Sequence, residues 1–264
     1  MNNLHRELAP ISDAAWAEIE EEASRSFKRN SAARRLVDVK GPLGLDTDSV
    51  TVGHRDKIDA PAEGIQAFLR SAQPLVELKV PFTVTREAID NVDRGSSDSD
   101  WDPVVRAASE LARAEDRAVF HGYPAAKISG IIESAESQID LPDEVRDYPE
   151  AISSAINRLR LDSVDGPYSL ALSADLYGKV NETVNDGYPV RDHVRRILTD
   201  GDIIWAPAID DAVLLSTRGG DFELTIGQDV SIGYDSHDGD AVNLYFLESF
   251  TYLNYTDEAA VALR

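Results

Sequence analysis

The chain has no cysteine among its 264 residues and only one methionine. Disulfides, thiolate metal sites and cysteine nucleophiles are therefore excluded, and the absence fits a reducing, cytoplasmic setting. Long apolar runs are missing as well. No stretch approaches the roughly 18 apolar residues of a membrane span. The first residues lack a basic segment followed by an apolar core, so neither a membrane partner nor a secretory leader is expected. Basic residues are scarce: 26 Lys and Arg stand against 48 Asp and Glu, a formal charge of −22. Wrapping nucleic acid needs Lys and Arg on phosphates, so no nucleic-acid partner is expected. The same charge makes identical subunits repel.

Catalytic and metal-binding patterns are also absent. His5, His54, His121, His193 and His237 are scattered, with no His-x-x-x-His or Glu-x-x-His spacing. Asp98, Asp100 and Asp102 alternate in a serine-rich turn but lack the glycine and closing glutamate of a calcium loop. No Gly-Lys-Ser/Thr follows Gly219-Gly220, and no Gly-x-Ser-x-Gly elbow occurs. No catalytic, cofactor-binding or metal residue is nominated, and no enzyme activity is expected.

What is present is a mixed α+β pattern. Ser12 is a candidate N-cap, followed by Trp16, Ile19, Ala23 and Phe27 on one face of an acidic helix. A short strand is expected over Arg35–Val39. Asp46 to Val84 opens polar and turn-rich, then alternates Val76, Leu78, Val80, Phe82 and Val84. Pro74 and Pro81 keep that strand off a central position. This is the pattern of a long hairpin, either reaching to a neighbour or folded back on its own domain. Asp102-Pro103 starts a helix running to about Phe120. Beyond it, helices are expected at Ile152–Leu159, Asp175–Glu182 and Val190–Leu198. Strands are expected at Tyr168–Leu172, Ile203–Trp205 and Val213–Leu215. A long strand carries Val242, Leu244, Phe246, Glu248, Phe250 and Tyr252 on one side.

The most distinctive run is Arg218-Gly219-Gly220-Asp221-Phe222-Glu223-Leu224-Thr225-Ile226-Gly227-Gln228-Asp229-Val230-Ser231-Ile232-Gly233-Tyr234. By pattern it is a glycine-turned hairpin. Its residue order resembles the C-terminal signature of encapsulin shell proteins, the linocin-like family. Met1-Asn2-Asn3-Leu4 through Trp16, Arg34-Arg35-Leu36-Val37-Asp38-Val39, Arg94-Gly95 with Asp100-Trp101, Asp165-Gly166-Pro167-Tyr168 and Gly187-Tyr188-Pro189 resemble further family blocks, in order across the chain. The actinobacterial members are the most similar.

The resemblance implies an HK97 phage-capsid-like fold. Its parts would be an N-terminal helix and P-domain start (1–45), an E-loop contacting adjacent subunits (46–80), a P-domain with a spine helix (81–137), an A-domain (138–221) and P-domain return strands (222–264). It also implies a cytoplasmic homo-oligomer, a hollow icosahedral shell. The shell would enclose a dye-decolourising peroxidase or a ferritin-like protein, recruited by the cargo's C-terminal targeting peptide.

The cargo-peptide groove would comprise Phe27, Arg34, Asp38, Asp229, Val230 and Ile232. The apolar members suit small and aliphatic side chains, and the charged members suit polar ends. Pattern alone also permits Phe27 and Ile232 as core, with Arg34 paired to Asp38. Asn185, Asp186, Gly187, Tyr188 and Pro189 match the family's five-fold pore loop, where Asp186 would favour cations, ferrous iron included. Some members stack a flavin on a tryptophan following a Phe-Thr strand. Glu87 stands at that position here, so no flavin is expected. Apart from the resemblance, a small soluble oligomeric binding protein and a hydrolase or bacteriocin-like secreted protein remain open.

Overall fold

Ser12 does cap the first helix: its hydroxyl accepts the Ala15 N–H of α1 (Asp13–Asn30), and Trp16, Ile19, Ala23 and Phe27 are its buried stripe. The computed structural model describes residues 3–264; Met1 and Asn2, part of the family-like opening, lie outside the described residues. The strand expected over Arg35–Val39 begins later, as β1 (Asp38–Lys40). Ala33–Arg35 instead winds into a 3-10 turn. The cause is the Asp116 carboxylate, whose two oxygens accept the Ala32 and Ala33 N–H groups at 2.8 and 2.9 Å.

β2 (Ser49–Ile58) and β3 (Ala67–Pro74) form a two-stranded arm that, among the described residues, pairs with no other strand. β4 (Val76–Thr85) then runs unbroken across residues 80 and 81, where the sequence placed the junction of E-loop and P-domain. α2 (Arg86–Asp93) and α3 (Asp102–His121) follow, the latter with Pro103 in its first turn. Next come α4 (Ile131–Ser134), β5 (Ser137–Ile139), α5 (Tyr148–Leu161), β6 (Tyr168–Leu172), α6 (Ala174–Glu182), β7 (Val184–Asn185), β8 (Tyr188–Pro189), α7 (Val190–Leu198), β9 (Ile203–Trp205) and β10 (Ala212–Ser216). β11 (Phe222–Ile226), β12 (Ser231–His237), β13 (Ala241–Asn254) and β14 (Ala260–Leu263) complete the chain.

The first sheet is organised by β13. β4 lies antiparallel along one side of it, an edge position that tolerates Pro81. β11 and β12 lie on the other side, both antiparallel to β13. The expected hairpin is therefore corrected, because the chain does not reverse at Gly227. Residues 227–230 bulge out of an interrupted strand. Ser249 of β13 holds the bulge: its N–H bonds Gln228 O and its hydroxyl accepts the Gln228 N–H. α1, α2, α3 and this sheet enclose one apolar core around Leu111, Phe82 and Phe246.

The second sheet runs β5-β14-β10-β6-β9. Its strands β6 and β10 are buried along their whole length. β14 therefore leaves the segment read as P-domain return strands and pairs between β5 and β10. Four apolar residues, Ala260 to Leu263, are all buried there.

Candidate functional site

The bulge after β11 and the C-terminal end of α1 face each other across a groove of about 670 Å³. Phe27, Arg34, Asp229, Val230 and Ile232 line it together, with Ala23, Ser31 and Phe246. Phe27 and Ile232 are each only 5% exposed, so they belong to the core and to the groove wall at once. Val230 is half-buried at the mouth. Asp38 is not in this groove. It lines a separate shallow depression with Gly219 and Phe222, where its carboxylate accepts the Gly220 N–H at 2.6 Å. The glycine pair there adopts positive φ, which a side chain would strain.

Arg34 is the polar centre of the groove. Its Nε and Nη2 fork onto Glu115, with contacts of 2.7 to 3.0 Å. Nη2 also bonds Glu248, and Nη1 reaches Asp229 at 2.9 Å. The guanidinium lies over the Phe27 ring, 4.8 Å from its centroid. The Arg34–Asp38 pair that pattern permitted is thus replaced by a pairing with three other carboxylates. Glu115 and Glu248 are fully buried, whereas Asp229 sits on the exposed rim.

Burial works against the Arg34 charge, but the Glu115 hydrogen bond and the Glu115 and Glu248 charges outweigh it and raise its pKa. Glu248 is pushed well above the usual carboxylate range, first by burial and then by the neighbouring Glu115 charge.

Glu115 and Glu248 were not nominated from sequence, although a signal existed. Glu248 stands among Phe246 and Phe250 on the buried side of β13, and Glu115 follows Leu111 and Ala112 on the buried side of α3. A carboxylate on an apolar stripe needs a buried partner.

The Asn185–Pro189 loop is a tight hairpin between β7 and β8. Asp186 and Gly187 take φ of 48° and 84°, the two left-handed positions of a primed turn. Asp186 is exposed. Tyr188 accepts a hydrogen bond from Arg196 at 2.8 Å, and Pro189 leads into α7. Glu87 lies in the first turn of α2, exposed and paired with Arg94 at 2.6 Å. Among the described residues no cluster of metal-ligating side chains occurs, and no helix is long and apolar enough to cross a membrane.

Residues 1–251 match a family described as encapsulating protein for peroxidase. The chain is 61% identical over 264 residues to the type 1 encapsulin shell protein of Rhodococcus erythropolis, covering all of both chains. It is 57% identical to that of Mycobacterium tuberculosis, covering all of this chain and 99% of the other. Among solved structures, the virus-like particle of Pyrococcus furiosus matches with a TM-score of 0.65 at 20% identity, over 94% of this chain and 99% of that one. The capsid of Myoviridae phage XM1 matches with a TM-score of 0.55 at 12% identity, over 86% and 88%.

Proposed function

The chain belongs to the encapsulin shell-protein family, and from that premise we propose that its shell is a hollow icosahedron holding cargo enzymes by their C-terminal targeting peptides in the groove between α1 and β12. As a member of this family it is a structural, capsid-like shell subunit rather than an enzyme. Its fold is the α+β fold of HK97-type capsid proteins.

The observation that carries the docking role is the groove itself. It joins residues from positions 27 to 34 and 229 to 232 into one apolar trough with a charged end. An extended peptide of small and aliphatic residues fits that chemistry. A peroxidase is the favoured cargo, because the matched family is described as encapsulating one; a ferritin-like protein is the second choice. The loop at Asn185–Pro189 is assigned to the five-fold pore, with Asp186 drawing cations. The particle works in the cytoplasm.

Native gel filtration and negative-stain microscopy test assembly: hollow megadalton spheres are expected, and particles of a few subunits would overturn it. Docking is tested by co-purification of a tagged peroxidase. Phe27→Asp with Val230→Asp should abolish loading. Because Phe27 is a core residue, Val230→Asp alone serves as the milder variant. Wild-type loading by intact Val230→Asp shells would put the groove elsewhere.

A further inference from the structure

Four Asp-Gly steps stand in the chain, at 165–166, 186–187, 200–201 and 238–239. Such a step is the least hindered place for a main-chain nitrogen to attack a side-chain carboxyl, because glycine has no Cβ to screen its N–H. The fold blocks three of the four. The Ser216 hydroxyl donates to the Asp165 carbonyl oxygen at 2.7 Å and pins that peptide plane, and Gly166 is packed against the Tyr168 ring. The Gly201 N–H is committed to Leu198 O at 3.4 Å, and its backbone is pressed on the Tyr168 carbonyl. The Asp238 carboxylate accepts the Asp240 and Ala241 N–H groups at 2.8 and 2.9 Å, bonds that fix it in place and lower its pKa. Asp186-Gly187 differs. Both residues are exposed at the tip of the β7–β8 hairpin, with φ of 48° and 84°. Among the described residues the Asp186 carboxylate has no hydrogen bond or ion pair, and no bond engages the Gly187 N–H. Nothing lies within 4 Å of where a Gly187 Cβ would stand. The hairpin is also weakly closed, since Pro189 stands opposite Val184 and has no N–H to donate.

We propose that Asp186 is a site of spontaneous isoaspartate formation, the one Asp-Gly step that this fold leaves reactive. The Gly187 nitrogen attacks Cγ of the protonated Asp186 carboxyl. A C–N bond forms, a C–O bond breaks, and the hydroxyl leaves with the amide proton as water. The product is a five-membered imide. Water then adds at the imide's main-chain carbonyl carbon and breaks the C–N bond there, so the chain now runs through Cβ and Cγ. One water leaves and one returns, and no oxidant or other co-reactant is consumed. Bringing nitrogen and Cγ into line requires the peptide between them to rotate, which an exposed hairpin tip allows by local opening and a packed turn does not. The product keeps the negative charge but lengthens the main chain by one methylene. A two-residue loop sets the register of its hairpin. The extra atom therefore disturbs the Asn185–Tyr188 pair and the Tyr188–Arg196 bond. The modification reshapes the loop while leaving the subunit's net charge as it was.

Trypsin puts the four steps on four peptides: Leu161–Lys179, Val180–Arg191, Ile197–Arg218 and Gly219–Arg264. The full-length protein, in its native assembled form, is aged for weeks in mildly acidic buffer made with heavy-oxygen water, then digested in ordinary water and analysed by liquid chromatography and mass spectrometry. Each passage through the imide leaves one heavy oxygen in the carboxyl, and the isomer elutes apart from its parent peptide. Val180–Arg191 should gain the label and a second peak several-fold faster than the other three, with fragment ions placing the label on Asp186. An isoaspartyl methyltransferase should methylate the second peak alone. The denatured chain, aged in the same way, should label all four peptides at comparable rates, because the selectivity lies in the fold. Asp186→Glu would need a six-membered ring and should stay a single peak, with circular dichroism like that of wild type. Label spread evenly over the four peptides of the native protein would overturn the proposal. So would its absence from Val180–Arg191 over a time that labels the denatured chain.

Discussion

Arg34 holds the groove floor together by charge, and its removal has a defined cost. Arg34→Met keeps much of the stem but leaves Glu115 buried without its cation. Breaking a buried pair from one side costs about 3–5 kcal/mol, so a clear fall in denaturant midpoint is expected. An unchanged midpoint would mean that the pair contributes nothing.

Two neighbouring carboxyl groups give the pH dependence a sign. Burial raises Glu248, and burial lifts Asp116 to about 7 from 3.8. A raised carboxyl pKa means the folded state holds the proton more tightly. Its stabilising effect is full below the unfolded pKa and fades as pH rises through the folded one. For Asp116 that window runs from about pH 4 to about pH 7, worth on the order of 4 kcal/mol. Glu248→Gln mimics the protonated carboxyl and should flatten the stability–pH curve on the neutral side. Unfolding measured across that range checks this, and a Gln variant with the wild-type slope would contradict it. Phe27 and Ile232 could be named from sequence, but their double role as core and wall could not, because pattern gives burial without saying which surface stays open. Asp38 failed as a groove residue because a turn, not a ligand, claims its carboxylate.

Local periodicity carried most elements. Ser12, Pro103 and the alternation of β13 marked their helices and strand correctly because cap, φ and burial are local effects. The β11–β12 region was misread because glycines signal positive φ or close approach equally well. Gly227 and Gly233 are close-approach positions: an added Cβ would meet Ser249 at 2.6 Å at the first and collide with the Tyr245 ring at the second. Gly233→Ala should therefore push Tyr245 aside and cost about 1–3 kcal/mol, visible as a lower melting temperature. The β2–β3 arm is the opposite case, an element with little to hold it to the rest. Ile58, Ile65, Phe68 and Leu69 are exposed on it, and Gln73 ties its base to Ala126 and Lys127. Replacing Thr51–Ser71 by a glycine link should leave circular dichroism close to wild type and abolish particles. Intact particles from that deletion would show that the arm is dispensable.

Across the whole molecule, charge opposes association. Each subunit carries −22 at neutral pH, so a closed particle must overcome repulsion among many like-charged neighbours. Screening sets how strongly they feel one another: the Debye length is about 8 Å at 0.15 M salt and about 30 Å at 0.01 M. Apolar and hydrogen-bonded attraction acts at short range and is little affected by salt, so dilution of salt strengthens the repulsion and leaves any such attraction nearly unchanged. The subunit's sequence pI is about 4.5, so mild acidification lowers the same repulsion from the other direction. Particles should therefore dissociate at lower denaturant in 0.01 M salt than in 0.15 M, and the difference should shrink at pH 5.5. Light scattering during denaturant titration at the two salts and two pH values measures both effects. Dissociation midpoints that ignore salt would mean that inter-subunit ion pairs, drawn from the twenty arginines, cancel the net charge at the contacts themselves.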